Sequence, residues 1–244
     1  WTLALAYEEF DVKWDQTSVD QQSRIVEIHR PDGKPDILQQ VEHGVLSILG
    51  GYHNLGRLYR GIICNNLRQY VLLGDASSMT DDLKYNPNLA EDERTATESG
   101  KLDDRLVFTE EHPGHEYTAI QALAAAARVL EGFNDTLARQ SLQAAIELYD
   151  MERDQSGRWA SSKINAAVEL YVSTGSEKYK NDLLEMQNDI VQNIGSCGWM
   201  VARVLDAVND DDFTNELRKA YLSLQTDLEK KQNENPFGVP YNIR

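Results

Sequence analysis

The chain has 244 residues, which is long enough to bury one substantial core, and 41 % of them are hydrophobic and 26 % charged, as in an ordinary globular domain. Its 40 acidic residues against 24 basic ones leave a net charge of −16, which excludes nucleic acid as an expected partner and favours a neutral or cationic ligand. No apolar run approaches the length of a membrane span, and two cysteines are too few for a disulfide framework.

Two helices are predicted in the first part of the chain. The opening stretch WTLALAYEEF reads as the middle of a helix, so we expect a processed or truncated product whose secretory signal could have been lost upstream. Residues 36–50 place their apolar side chains on one helical stripe, with Pro35 just ahead and Gly50 with Gly51 as the expected end. Residues 62–74 fit either a strand or a helix.

A long loop is predicted at about 75–115, within a single domain that covers 1–244. This segment carries Gly, Pro, Asn and many acids but no sustained apolar period, and irregular segments of this length are often functional. Its acidic part, 75–104, could hold calcium through carboxylates and carbonyls, although calcium is not required.

The motif HPGHE at 112–116 resembles a metal site at first sight. A zinc site of this type needs its ligands on one helical face. We expect Pro113 and Gly114 to prevent a regular helix between the two histidines, so no metal ligand is predicted here.

After Tyr117 the sequence is helical almost to its end. The predicted helices are 118–131 closed by Gly132, 136–153 capped by Asn134 or Asp135, 160–174 closed by Gly175, 176–193 capped by Ser176, 198–208, and 213–234 with the acidic run 210–212 at its N-terminus. Helices rich in small residues alternate with more polar ones. This alternation suggests an all-α fold, an (α/α)6 toroid of inner and outer helix hairpins that is incomplete in this chain.

Five stretches, in the same order, carry a resemblance to a known family. They are WTLALAYEEF at 1–10, GKPDILQQVEHGVLSIL at 33–49, PGHEYTAIQALAAAARVL at 113–130, KINAAVELYVSTGSEKY at 163–179 and ENPFGVPYNIR at 234–244. Together they resemble the central portion of the catalytic module of glycoside hydrolase family 9, the cellulase family with an (α/α)6 barrel. These stretches are most similar in sequence to family members from Bacteroidetes-type bacteria.

The sequence also departs from the family pattern. Glutamines at 39–40 replace an Asp-Glu pair, and serines stand at 161–162 near a position where many relatives carry acids. The family's Asp-Ala-Gly-Asp motif, which supplies the carboxylate that activates water, belongs upstream of Trp1, and its proton-donating glutamate belongs beyond Arg244. The resemblance therefore implies a parent that hydrolyses β-1,4-glucosidic bonds in cellulose, xyloglucan or mixed-linkage glucan with inversion of configuration. No catalytic residue is expected in this chain, which alone should be inactive.

The resemblance also implies where substrate binds. In such barrels the N-terminal ends of the inner helices face the active site, which makes substrate-binding candidates of His115, Glu116, Tyr117, Arg158, Trp159, Trp199 and Tyr241. Flat aromatic rings stack on pyranose faces, and charged groups bind hydroxyls. For Trp159 and Trp199, packing in the core is the alternative.

Two functional hypotheses follow. The first is a fragment of a secreted, periplasmic or cell-surface glycosidase that binds a β-glucan and needs no cofactor. The second is a non-catalytic helical barrel or scaffold that binds carbohydrate or protein. Because an incomplete toroid exposes apolar helix faces, we also expect the chain to self-associate or to pack with the rest of its parent.

Overall fold

The computed structural model describes residues 1–20, 22–64, 80–109, 111–153 and 157–240. The chain forms two compact units, the first made of Trp1–Gly50 with His112–Arg244 and the second of Gly51–Glu111. The first unit is mainly helical, and the second contains short strands. The single domain over 1–244 stays a prediction.

The helices account for most of the regular structure. In the described ranges they are α1 Thr2–Phe10, α2 Asp36–Leu55, α3 Pro113–Leu130, α4 Asp135–Glu152, α5 Ala160–Thr174, α6 Glu177–Glu185, α7 Gln187–Gln192, α8 Ile194–Ala202, α9 Leu205–Val208 and α10 Asp211–Glu234. None of these helices is long and apolar enough to cross a membrane. The predicted caps hold, since Asn134, Ser176 and Asp210 each accept a backbone N–H of the helix that follows.

Four predicted helices were wrong in extent, and one of them, predicted at 198–208, begins at Ile194 and divides into α8 and α9. Helix α2 does not stop at its glycine pair but continues to Leu55, and a Cβ on Gly51 would lie 2.5 Å from the Tyr59 ring, so the glycine serves close packing. Helix α3 begins at Pro113, because a proline at the first helical position needs no amide hydrogen. The helix predicted at 176–193 divides at Met186 into α6 and α7.

The helical unit has an inner layer of successive neighbours, since α1 packs against α3, α3 against α5, and α5 against α8. Helices α3 and α5 run parallel, because Gly114 meets Trp159 near their N-termini while the Ala124 carbonyl accepts from Ser173 Oγ at 2.9 Å near their C-termini. Helix α4 packs on α3, α6 on α5, and α10 on α8 and α7 as outer partners. This is the inner-and-outer arrangement of part of an (α/α)6 barrel, which confirms the fold class.

Helix α3 lies at the centre of this packing. Thirteen of its 18 residues are buried, including the run Ala124–Ala127. Small side chains let neighbouring helices approach closely on every side, so the alanine-rich helix is the core of the unit.

A charged cluster, the Glu169 network, ties the inner helices together. The Glu169 side chain of α5 is fully buried; its Oε1 accepts from Trp1 Nε1 at 2.8 Å and from Arg203 at 2.6 Å, and its Oε2 pairs with Arg128 at 2.8 Å. Arg128 also binds Glu8 of α1 at 2.8 Å. Burial alone would lower the pKa of Arg128, but hydrogen bonds and charge from Glu8 and Glu169 outweigh it and raise that pKa.

The strands form three small pairs. In the first unit β1 Thr17–Asp20 pairs antiparallel with β2 Ile25–Ile28. In the second, β3 Gly61–Cys64 pairs antiparallel with β6 Arg105–Phe108, and β4 Lys84–Tyr85 pairs parallel with β5 Glu98–Ser99.

The described part of the loop predicted at 75–115 contains three short strands and the start of α3. Local side-chain hydrogen bonds support these turns, such as the one that Asp104 accepts from the Tyr85 amide at 2.7 Å. Such bonds leave no apolar period in the sequence. Residues 65–79, which include most of the ambiguous stretch 62–74, lie outside the described residues.

Candidate functional site

The N-terminal ends of α3, α5 and α8 lie at one end of the helical unit. Gly114 of α3 packs against the Trp159 ring, which stands immediately before α5. Ser161 of α5 lies 2.8 Å from Ser196 of α8, Oγ to Oγ. The serine that replaces an expected acid thus joins two inner helices at the end where the resemblance places substrate.

Four residues at this end form what we call the Trp159 platform, namely His112, Gly114, Arg158 and Trp159. The His112 ring centroid lies 4.6 Å from that of Trp159. The Arg158 guanidinium carbon lies 4.4 Å from the centroid of the same ring. Trp159 is half-buried and Arg158 exposed, so the platform is an indole that packs on Gly114 and His112, with an exposed cation over its ring.

His112 is the residue of the platform that the sequence prediction missed. It is the N-cap of α3, and its Nδ1 accepts from the His115 amide at 3.0 Å. The signal was present, because a polar residue directly before a proline is typical of a helix start. The imidazole therefore fixes the entry to α3 while its ring packs on Trp159.

The three candidates at the start of α3 have different surroundings. His115 is exposed and Glu116 buried. Tyr117 is fully buried, and its hydroxyl donates to the Glu152 carbonyl of α4. This position does not fit a substrate contact, because the phenol is enclosed by core and its hydrogen is already used.

The remaining candidates lie away from the platform or outside the described residues. The Trp199 side chain is 50 % exposed, and its ring lies 5.6 Å from that of Trp1, tilted by 51°. Tyr241 lies outside the described residues. The structure therefore brings together Arg158 and Trp159 among the predicted residues and places Trp199 in a second aromatic pair.

A tyrosine cluster packs behind the start of α3. Tyr149 lies edge-on to Tyr117 at 6.4 Å and to Tyr179 at 5.4 Å between ring centroids. Asp182 accepts from the Tyr149 hydroxyl at 3.1 Å and from Arg153 at 2.6 Å. Burial and the nearby Asp182 raise the pKa of Tyr149, and burial with Asp150 and Asp182 raises the pKa of Tyr179 to about 12.

These shifts predict loss of stability at alkaline pH. A phenol whose pKa is higher in the folded than in the unfolded chain stabilises the fold fully below pH 10, the unfolded value, and this contribution is lost as the pH rises towards 12. Urea unfolding measured between pH 8 and 12 should show a falling free energy of unfolding, and Tyr179→Phe should flatten that fall. Tyr7→Phe, at a half-buried position of α1, is the control, and an equal flattening there would contradict the assignment.

No metal site is evident among the residues that the structure describes, where no three His, Cys, Asp or Glu side chains converge. In the second unit the buried carboxylate of Asp103 pairs with Lys101 at 3.0 Å, and that of Asp81 lies 3.8 Å from Arg94. Cationic side chains thus already neutralise these acids. Calcium binding stays a prediction.

Comparison with known proteins identifies the family of this chain. The sequence matches the model of glycosyl hydrolase family 9 over residues 1–237, and the chain belongs to this family. No curated protein matches it.

The fold is shared with solved family 9 endoglucanases. A metagenome-derived endoglucanase is 19 % identical with a TM-score of 0.58, covering 98 % of this chain and 42 % of its own. Endoglucanase J30 and its Zn-binding triple mutant are each 16 % identical with a TM-score of 0.59, covering 98 % of this chain and 44 % of theirs. The chain therefore spans less than half the length of these enzymes.

Proposed function

We propose that this chain is part of an inverting glycoside hydrolase that cleaves β-1,4-glucosidic bonds in a cellulose-like glucan, and that it contributes to substrate binding. Family membership and the endoglucanase fold support the reaction class. The observation that carries the proposal is the Trp159 platform, an aromatic ring held at the end of the unit where α3, α5 and α8 begin.

The chemistry of inversion requires two carboxyl groups roughly 6.5–9.5 Å apart, one protonated and one ionised, with a water beside the base. Glu116 is buried at the start of α3, and Glu169 is bound to two arginines inside the helix packing, so Glu169 is already paired and cannot serve as the second carboxyl group. We propose that the bond-breaking carboxylates belong to other parts of the parent enzyme and that this chain alone does not hydrolyse glucan.

Substrate binding at the platform is tested by Trp159→Ala. An indole face buries the apolar face of a pyranose, so its removal should weaken cellotetraose binding by about tenfold, equivalent to roughly 1.4 kcal/mol. Isothermal calorimetry on the chain, and turnover of cellulose, xyloglucan and mixed-linkage glucan by the parent, are the measurements. Trp14→Ala is the control, because Trp14 is 72 % exposed and precedes β1 outside the platform.

The outcomes separate the hypotheses. Unchanged affinity and turnover in Trp159→Ala would remove the platform from the substrate site. A parent without turnover on any β-glucan, but with retained sugar binding, would favour the non-catalytic scaffold. Hydrolysis by this chain alone would contradict the proposed absence of its catalytic groups.

The proposal extends to location and partners. Since polymeric glucan is found outside cells, we propose a secreted, periplasmic or cell-surface parent. Exposed apolar side chains at Phe10 and Ile28, and on β6 at Leu106 and Phe108, support packing against further protein, either the rest of the parent or a second copy.

A further inference from the structure

The Arg158 guanidinium has N–H donors that remain available for a ligand. Its guanidinium lies over the Trp159 ring, and no carboxylate among the described residues pairs with it, although the chain carries a net charge of −16. By contrast, Arg128, Arg153 and Arg203 each pair with a buried carboxylate. Arg158 thus presents planar N–H donors beside an aromatic ring at the proposed sugar site.

Neutral and acidic sugars would meet this arrangement differently. A neutral pyranose that stacks on the indole must displace the guanidinium and lose the contact between cation and ring. A sugar carboxylate instead accepts two parallel charge-assisted hydrogen bonds from the guanidinium, which draws the cation off the ring and frees the indole for the adjoining pyranose.

We propose that Arg158 makes the Trp159 platform selective for carboxylated β-glucans. The ligand class is a β-1,4-linked glycan that bears uronic acids. The inference rests on the proposed function, because it assumes that the platform binds sugar. Arg158 is a specificity-determining residue, since it contacts the substituent and not the bond that is cleaved.

The local charges agree with an acidic ligand although the net charge opposes one. At physiological ionic strength charges are screened beyond about 8 Å, whereas the guanidinium meets the carboxylate in direct contact. Helix α5 has no acidic residue in its first turn, and Glu116, the acid in the first turn of α3, is buried. The dipoles of both helices add a favourable field at their N-termini.

The test compares two tetrasaccharides by calorimetry at pH 7, cellotetraose and its uronic counterpart, a tetramer of β-1,4-linked glucuronic acid. The wild-type chain should bind the acidic tetramer about three- to tenfold more tightly in low salt, with the preference shrinking at high salt. Arg158→Ala should move the two ligands in opposite directions, weakening the acidic tetramer about tenfold and tightening cellotetraose about two- to fivefold as the ring is uncovered. Arg139→Gln, an exposed arginine of α4, is the matched control.

The results distinguish failure of the selectivity from failure of the proposed sugar binding. If wild type binds both tetramers equally, or if Arg158→Ala weakens both alike, the selectivity is overturned while sugar binding at the platform stands. If wild type binds neither tetramer, the proposed function of the platform fails and the inference with it. If Arg139→Gln weakens the acidic tetramer as much as Arg158→Ala does, the preference is only a general charge effect and the inference is overturned.

Discussion

Replacing Glu169 by leucine should lower the free energy of unfolding by about 3 kcal/mol, because it leaves two largely buried arginines without their shared carboxylate. The side chains of Arg128 and Arg203 are only 17 % and 20 % exposed in the structure, so water can compensate little of the loss. Urea unfolding at neutral pH, followed by far-ultraviolet circular dichroism, measures the change. The double variant with Arg128→Met should lose less than the sum of the two single losses.

The matched control is Glu216→Gln on α10. Its partner Lys219 lies 2.6 Å away, but both side chains are largely exposed, so removal should cost less than about 0.5 kcal/mol. A loss below about 1 kcal/mol for Glu169→Leu, no greater than that of a typical substitution, would show that the network does not hold the inner helices together.

Gly114→Ala should destabilise the fold and weaken the proposed sugar binding, even though alanine is the better helix former by about 1 kcal/mol. The added Cβ would lie 2.3 Å from Cε3 and 2.5 Å from Cζ3 of Trp159, on a ring that is also packed by His112. Overpacking of this kind costs roughly 1–3 kcal/mol, so the steric term wins and the indole must move. Thermal unfolding and cellotetraose calorimetry should show a lower midpoint and an affinity reduced about tenfold.

Gly195→Ala isolates the steric effect. Gly195 is also the second residue of its helix, α8, but the nearest atom to its added Cβ is 3.6 Å away, at Leu224. This variant should be neutral or more stable by up to about 1 kcal/mol. Equal behaviour of the two glycine variants would mean that Trp159 is not confined by the start of α3.

Local chemistry made much of the helical unit predictable. Helix α5 has the bounds expected from its sequence, because Gly175 takes a left-handed conformation that alanine-like residues avoid. The division at Met186 could not be predicted, since the sequence there has no proline or glycine and the break depends on packing against neighbours. The same holds for the short strand pairs of the second unit, whose pairing joins residues far apart in sequence.

The site was only partly predictable for a similar reason. Trp159 and Arg158 are adjacent in sequence directly before α5, so predicting the start of that helix placed both at the same end of the helical unit. Tyr117 was expected near substrate because the sequence places it at the start of a helix. Whether its side chain points to the core or to the end of the unit depends on which helices pack beside it. Since α4 supplies the neighbours of this side chain, Tyr149 and the Glu152 carbonyl, the sequence around Tyr117 could not show that it lies in the core.

The alanine run of α3 has a consequence for the position of the Trp159 platform. Spacing between two packed helices is set by the side chains at their contact, and α3 carries four consecutive buried alanines, Ala124–Ala127. The separation of the starts of α3 and α5 beside Trp159 therefore depends on residues about three to four turns further along α3. A bulkier side chain within this run would therefore shift the platform without any change at the surface.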